Sequence, residues 1–167
     1  MSISEIFLQS LPLVFLLAVI VGVHKYFQGK RLRKFRRSGM HRVDEMDEQE
    51  FSRFLEELFT RLGYRIEKSG PSGGGSAVLL LTRQGKSTAV FGLRTNRKLG
   101  LLEVQEVRSA RTRFDCDFGI VVTNSTFNYP AQAVADKESI ELWDRNLLAE
   151  TMLDAGMSEQ EFSQKDE

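Results

Sequence analysis

Several things this chain lacks narrow what it can do. Cys116 is its only cysteine, so no internal disulfide can form, which suits a reducing compartment. Its two histidines, His24 and His41, both flank the first hydrophobic stretch. One cysteine and no histidine beyond position 41 exclude a zinc site of the usual nitrogen and sulfur type. Acid is missing where it would matter most. Residues 68–102 contain no Asp or Glu, so that stretch offers no carboxylate for acid–base work or for a hard metal ion.

Charge is unevenly spread rather than scarce. The whole chain balances at a formal net charge of zero. Residues 25–42 nevertheless hold eight Lys/Arg and no acid, and residues 43–167 hold 15 Lys/Arg against 22 Asp/Glu. Immediately before the basic run, Leu11 to Val23 carry no charge and no strongly polar side chain. Ile6, Phe7 and Leu8 extend the apolar stretch backwards, and Tyr26 and Phe27 carry it to an interface, so residues 6–27 are expected to form a single transmembrane helix. A cleaved signal peptide fits poorly, because no Lys or Arg precedes the apolar run and no small-residue cleavage site follows it. The basic run after the helix places residues 1–5 outside and the rest in the cytoplasm, under the inner membrane of a cell. Residues 6–37 are then the expected contact with membrane lipids, residues 28–45 a basic linker, and residues 154–167 a polar tail.

Residues 46–153 carry the periodicities of a folded α/β domain. Phe51, Phe54, Leu55, Leu58, Phe59 and Leu62 form one apolar helical stripe. Asp47 and Glu50 resemble a capping box at its start, and Gly63 suits its end. A short strand over 64–67 and a flexible loop, Ser69 to Ser76, should follow. That loop has no Gly-Lys-Ser/Thr ending, so nucleotide binding is not expected. Strands over 77–81 and 87–93 should pair as a hairpin around Arg83-Gln84-Gly85-Lys86. A helix over 101–114, a continuous apolar strand over 118–123, a helix over 130–138, a strand over 140–143 and a last helix capped by Asp144 complete the order. Helices alternating with apolar strands indicate an α/β/α sandwich around a mixed sheet. Trp143 reads as core, and Asn124 as tight-turn chemistry between Thr123 and Ser125.

The order and several words in the sequence resemble the Mrr-type restriction endonuclease domain of the PD-(D/E)xK nuclease superfamily. The words are EFSRFLEELFTRLGY at 50–64, Ser69-Gly70, LGLLEVQEV at 99–107, GIVVTNSTF at 119–127 and LWDR at 142–145. The resemblance implies a restriction-endonuclease-like fold over about residues 46–153. It also implies a site built from a first-helix Glu, an Asp at the start of the second strand and a Gln-x-Lys on the third. Such a set holds a divalent metal beside a scissile phosphate. Here Glu50 matches the first-helix Glu. The strand-starting Asp falls at Ala77, or at Gly75 or Ser76 with a different gap. The Gln-x-Lys falls on Phe91-Gly92-Leu93. The resemblance therefore implies a site that has lost its chemistry at Ala77, Phe91 and Leu93, with Glu50 vestigial, and no resident cofactor.

Three readings of function remain open on these residues. A degenerate domain could bind DNA or RNA, or act as a scaffold, without cutting. Residues 83–113 hold eight Lys/Arg against Glu103 and Glu106, and the candidate phosphate contacts are Arg94, Arg97, Lys98, Gln105, Arg108 and Arg111. The competing view of these groups is a solvated helix and loop surface. An active nuclease would need a migrated site using Glu50, Glu67, Glu103 or Glu106 with Lys86 or Lys98, and Mg²⁺. A purely structural membrane protein would use the domain to hold another protein.

Overall fold

In the computed structural model the structure describes residues 39–73 and 76–157. The expected outer terminus (1–5), the transmembrane helix (6–27), the basic linker up to residue 38, the lipid-contacting stretch 6–37 and the tail from residue 158 lie outside the described residues.

Helical residues 39–45 come first. They are followed by α1 (Glu48–Arg61), β1 (Arg65–Gly73), β2 (Ser76–Arg83), β3 (Lys86–Leu93), α2 (Leu101–Arg113), β4 (Phe118–Thr123), α3 (Tyr129–Glu138), β5 (Ile140–Trp143) and α4 (Arg145–Asp154). The five strands form one sheet in the order β1-β2-β3-β4-β5. The β1/β2 and β2/β3 pairs are antiparallel; β3/β4 and β4/β5 are parallel. The ends of β3, β4 and β5 therefore share one edge with the start of β2.

Each helix has an identifiable cause. The Asp47 carboxylate accepts from the Glu50 amide and the Glu50 carboxylate accepts from the Asp47 amide, both at 2.8 Å, a closed capping box. Asn128 caps α3, and Asp144 caps α4 through the amides of Asn146 and Leu147. The hairpin turn puts Gln84 and Gly85 at φ 51° and 77°, the two positive values that a tight two-residue turn requires.

The sheet is covered on both faces. Phe51, Leu55, Leu58 and Phe59 of α1 and Leu148 and Met152 of α4 pack on Ala77, Leu79, Leu81, Val90, Ile120 and Val122. On the other face Val104 and Val107 of α2 and Ala131 and Ala135 of α3 pack on Ala89, Phe91, Leu93 and Val121. Gly92 marks the closest approach of sheet to helix: a Cβ there would collide with Leu55 and lie 3.3 Å from the Phe51 ring.

Two boundaries differ from the sequence-based expectation. The Ser69–Ser76 segment is mostly strand, since β1 runs on to Gly73 and pairs with β2 past register shifts at Ile66/Lys68 and Pro71/Gly73. Glycine and serine suggested a loop, but β1 is an edge strand, where bulges and a Pro without an N–H are tolerated. The end of the expected linker is also part of the packed body. Met40 and Val43 are fully buried and Met46 nearly so, and each such side chain contributes about 1.5–3 kcal/mol. Three apolar residues at i, i+3 and i+6, among charged and polar ones, gave too short a stripe to read.

Candidate functional site

The hairpin start is where the resemblance puts the chemistry. Directly paired residues of a hairpin share a face. Ser76 pairs with Leu93, Ala77 with Gly92 and Val78 with Phe91. Ala77 therefore points toward α1, whereas Phe91 and Leu93 point toward α2 and α3. The residue at the head of β2 that shares their face is Ser76, the alternative position. Phe91 and Leu93 are 6% and 8% exposed, and Ser76 and Ala77 are buried too. The hairpin presents hydrocarbon and one hydroxyl.

The acids considered for a migrated site do not converge. Glu50 is exposed and engaged in its capping box. Glu67 accepts from the Thr82 hydroxyl and the Arg65 guanidinium, both at 2.8 Å, and these bonds hold its pKa below the usual value. Glu103 is 4% exposed and closes the start of α2, accepting from the Gly100 amide at 2.8 Å and from Arg97 at 2.6 Å. Burial pushes the pKa of Glu103 up, and the bonds from Arg97 and the backbone outweigh it, so the carboxyl stays below its ordinary value. Glu106 and Lys98 are exposed. Lys86 is held by Asp117 at 2.9 Å at the opposite end of the sheet. Among the described residues no group of three His, Cys, Asp or Glu could hold a metal ion.

The basic residues of 83–113 are likewise dispersed. Arg94 turns inward and donates to the Asp44 carbonyl at 3.0 Å. Arg97 is spent on Glu103. Arg111 donates to the Glu138 carbonyl at 2.9 Å, and Arg108 lies 3.5 Å from the Glu138 carboxylate. Gln105 is exposed on α2. A helix of this length spans about 20 Å, so Arg97 and Lys98, before its start, are well apart from Arg83 and Lys86 at the hairpin turn.

The densest polar cluster lies elsewhere, at the sheet edge formed by the ends of β3 and β4, and sequence reasoning missed most of it. Arg145 grips Asp44 with two bonds, 2.6 and 2.7 Å, and donates to the Asn124 carbonyl at 2.9 Å. The Asn124 amide donates to Asp44 at 2.7 Å, and its oxygen accepts from the Thr95 amide at 2.8 Å. Burial pushes Asp44 up, but the bonds from Arg145 and Asn124 outweigh it and hold the carboxyl below its ordinary value. The Asp44 bond in turn raises the Arg145 pKa. Asn124 is thus a buried hub, not a simple turn residue: its side chain ties three segments together. The LWDR word contained Arg145, but its partner lies 101 residues earlier in the chain, a separation no local pattern reveals. Arrangements of this kind fasten a segment; with the one carboxylate saturated by a guanidinium and an amide, no group is left to act as base.

Comparison with known proteins identifies the fold and the family. Residues 43–152 match the Mrr catalytic-domain family, described as restriction endonuclease. No curated protein matches the chain. Among solved structures, the DNA modification-dependent restriction endonuclease AspBHI is similar with a TM-score of 0.54 at 14% identity, over 78% of this chain and 38% of that one. EndoMS in apo form shows a TM-score of 0.44 at 17% identity, over 55% of this chain and 44% of that one. MspJI, solved with a 27-mer oligonucleotide, shows 0.39 at 20% identity, over 90% and 35%. The chain thus spans less than half the length of each. The AspBHI likeness shows the fold, the restriction-endonuclease-like α/β sandwich. The match over residues 43–152, most of the chain, shows the family: this chain belongs to the Mrr-type restriction endonucleases.

Proposed function

We propose that this chain is a membrane-tethered member of its family that no longer cuts phosphodiesters and serves as a binding or scaffolding module at the cytoplasmic face of an inner membrane. The observation that carries this reading is the hairpin. Where the family's metal-holding and charge-stabilising groups are expected, Ser76, Phe91 and Leu93 share one buried face, and neither β2 nor β3 holds a carboxylate. Mg²⁺ requires several hard oxygens, and these residues do not fit it. Glu50 alone, locked to Asp47, does not replace them.

Tethering rests on the apolar stretch 6–27 and the eight basic residues after it. DNA or RNA is the ligand class that the family suggests, and AspBHI is a DNA-modification-dependent enzyme. Against an extended phosphate track, Arg94, Arg97, Arg108 and Arg111 are each engaged within the domain. A protein partner fits the acidic remainder of the surface at least as well.

Two measurements test the proposal. The purified full chain, incubated with plasmid and Mg²⁺ or Mn²⁺, should leave it uncut; robust cleavage that disappears in Glu50→Ala would sink the non-catalytic reading. A gel-shift titration at low salt decides the ligand: saturable, salt-sensitive retardation of duplex or single strands assigns nucleic acid, and no retardation assigns protein. Protease accessibility in inverted membrane vesicles reports the tether and its orientation.

A further inference from the structure

Among the described residues β5 is the last strand of the sheet, with a neighbour on one side only. In a parallel ladder about half of an edge strand's peptide groups face away from its neighbour. Such a row is a template for another strand unless something covers it. Here the edge lies in an open groove of about 790 Å³ between α3 and α4. Phe127, Ile140, Leu142 and Trp143 give the groove an apolar floor, Leu147 of α4 stands on one side, and Asp136 of α3 on the other. Leu147 is 39% exposed, so the groove keeps an apolar wall open to a partner.

Charge selects the occupant. The groove is also lined by Glu141 and Asp144, and among the described residues no Lys or Arg lines it. A second copy of β5 laid against the first would bring the same acids face to face, which is unfavourable. A nucleic acid backbone would meet the same repulsion. Asp144 already caps α4, and one oxygen of Glu141 accepts from the Trp143 indole at 3.1 Å, so Asp136 and the second oxygen of the still-charged Glu141 are left to meet a partner. Along β5 the side chains alternate: Ile140 and Leu142 belong to the α2/α3 face, and Glu141 points to the other. An added strand would place its apolar residues beside Ile140 and Leu142 and its cationic residues beside Glu141.

We infer that the open edge of β5 takes an extended segment of a partner protein, with apolar and basic residues alternating, as a sixth strand of the sheet. Backbone hydrogen bonds supply the attachment and the two faces supply the selection.

Trp143 is the only tryptophan in the chain, lines the groove and donates its indole N–H to Glu141, so its fluorescence should respond when a cation engages that carboxylate. The probe is a capped heptapeptide of alternating Lys and Val, titrated into the full chain in a nonionic detergent. The expected result is a saturable change in Trp143 emission that weakens as salt rises. Two further peptides carry N-methyl groups on alternate amides, one in each frame. One frame should abolish binding, because it blocks the edge that faces β5, and the other should bind like the parent. Asp136→Lys and Glu141→Lys, singly and together, should weaken binding at least about tenfold in the double variant. Both positions are exposed, and circular dichroism checks that the fold persists; Asp136→Lys alone serves if the double variant unfolds. The inference fails if there is no saturable signal, if both methylated frames bind like the parent, or if a Glu/Val peptide binds as well as the Lys/Val one. It also fails if sedimentation shows the edge closing a dimer that the charge reversals dissolve.

Discussion

Two parts of the same sheet edge have taken opposite chemical paths. At the ends of β3 and β4, Asp44, Asn124, Thr95 and Arg145 form a closed set of hydrogen bonds. One register away, at the start of the hairpin, Ser76, Phe91 and Leu93 face an apolar layer. Charge taken from water is costly unless it is paired. The first region meets that condition with partners from three separate segments. The second avoids it by carrying no charge. Two apolar layers and one polar clasp hold the described domain together, and the proposed absence of a metal-holding site would leave both intact.

The comparison breaks most severely where charge is forced back into the hairpin. Restoring the family's pattern with Phe91→Gln and Leu93→Lys should cost about 4–6 kcal/mol, combining loss of a buried aromatic with burial of an ammonium group. Urea unfolding checks this, and plasmid cleavage with Mg²⁺ should still be absent, since no carboxylate is gained. Little loss of stability would mean that this cleft is open and wet.

Cutting the clasp comes next. Asp44→Ala should cost about 2 kcal/mol: it removes two bonds from Arg145 and one from Asn124, discounted because the ion pair is about one-third exposed. Arg145→Ala should cost a similar amount. The double variant should cost clearly less than the sum, since each single change leaves a lone charge and the double change leaves none. Strict additivity in the cycle would show that the geometry does no work. The pH dependence has a definite sign. Asp44 has a lowered folded-state pKa, so its contribution is full above the ordinary carboxylate range and disappears as pH falls through the folded value.

How much of this was legible follows from the range of the forces. The apolar stripe of α1, the alternation of strands and helices and the Asp47/Glu50 box are local, with partners three to eight residues apart, and sequence alone displays them. The extension of β1 to Gly73 depends on pairing with β2, which overrides a glycine-rich composition. The burial of Met40 and Val43 depends on α1 and α4 lying over them. Asp44 and Arg145 meet only because the whole sheet folds between them. That residues 68–102 hold no Asp or Glu is plain from the sequence, but that Ser76 rather than Ala77 shares the face of Phe91 and Leu93 needed the register.

A smaller effect sharpens the contrast between this clasp and an ordinary surface pair. Arg97→Ala leaves the buried Glu103 with backbone amides as its partners, that of Gly100 among them. Arg97 itself is 62% exposed, so the cost should be about 1 kcal/mol, read as a shift in the urea midpoint.

The gentlest test lies at the far end of the sheet. Asp117 accepts from the Ser87 amide at 2.9 Å and from Lys86 at 2.9 Å, and these bonds bring its pKa down to about 2, the Ser87 amide contributing most. Its folded value is depressed, so any contribution to stability is present above the unfolded carboxylate value and is lost as pH falls toward 2. In Lys86→Ala the amide bond remains, so an NMR titration should find Asp117 still below its ordinary value but higher than in the parent chain. If removing Lys86 alone returned the full ordinary value, the ion pair, and not the backbone, would be the main restraint. The exposed end of the sheet would then rely on charge pairing as the half-buried clasp does.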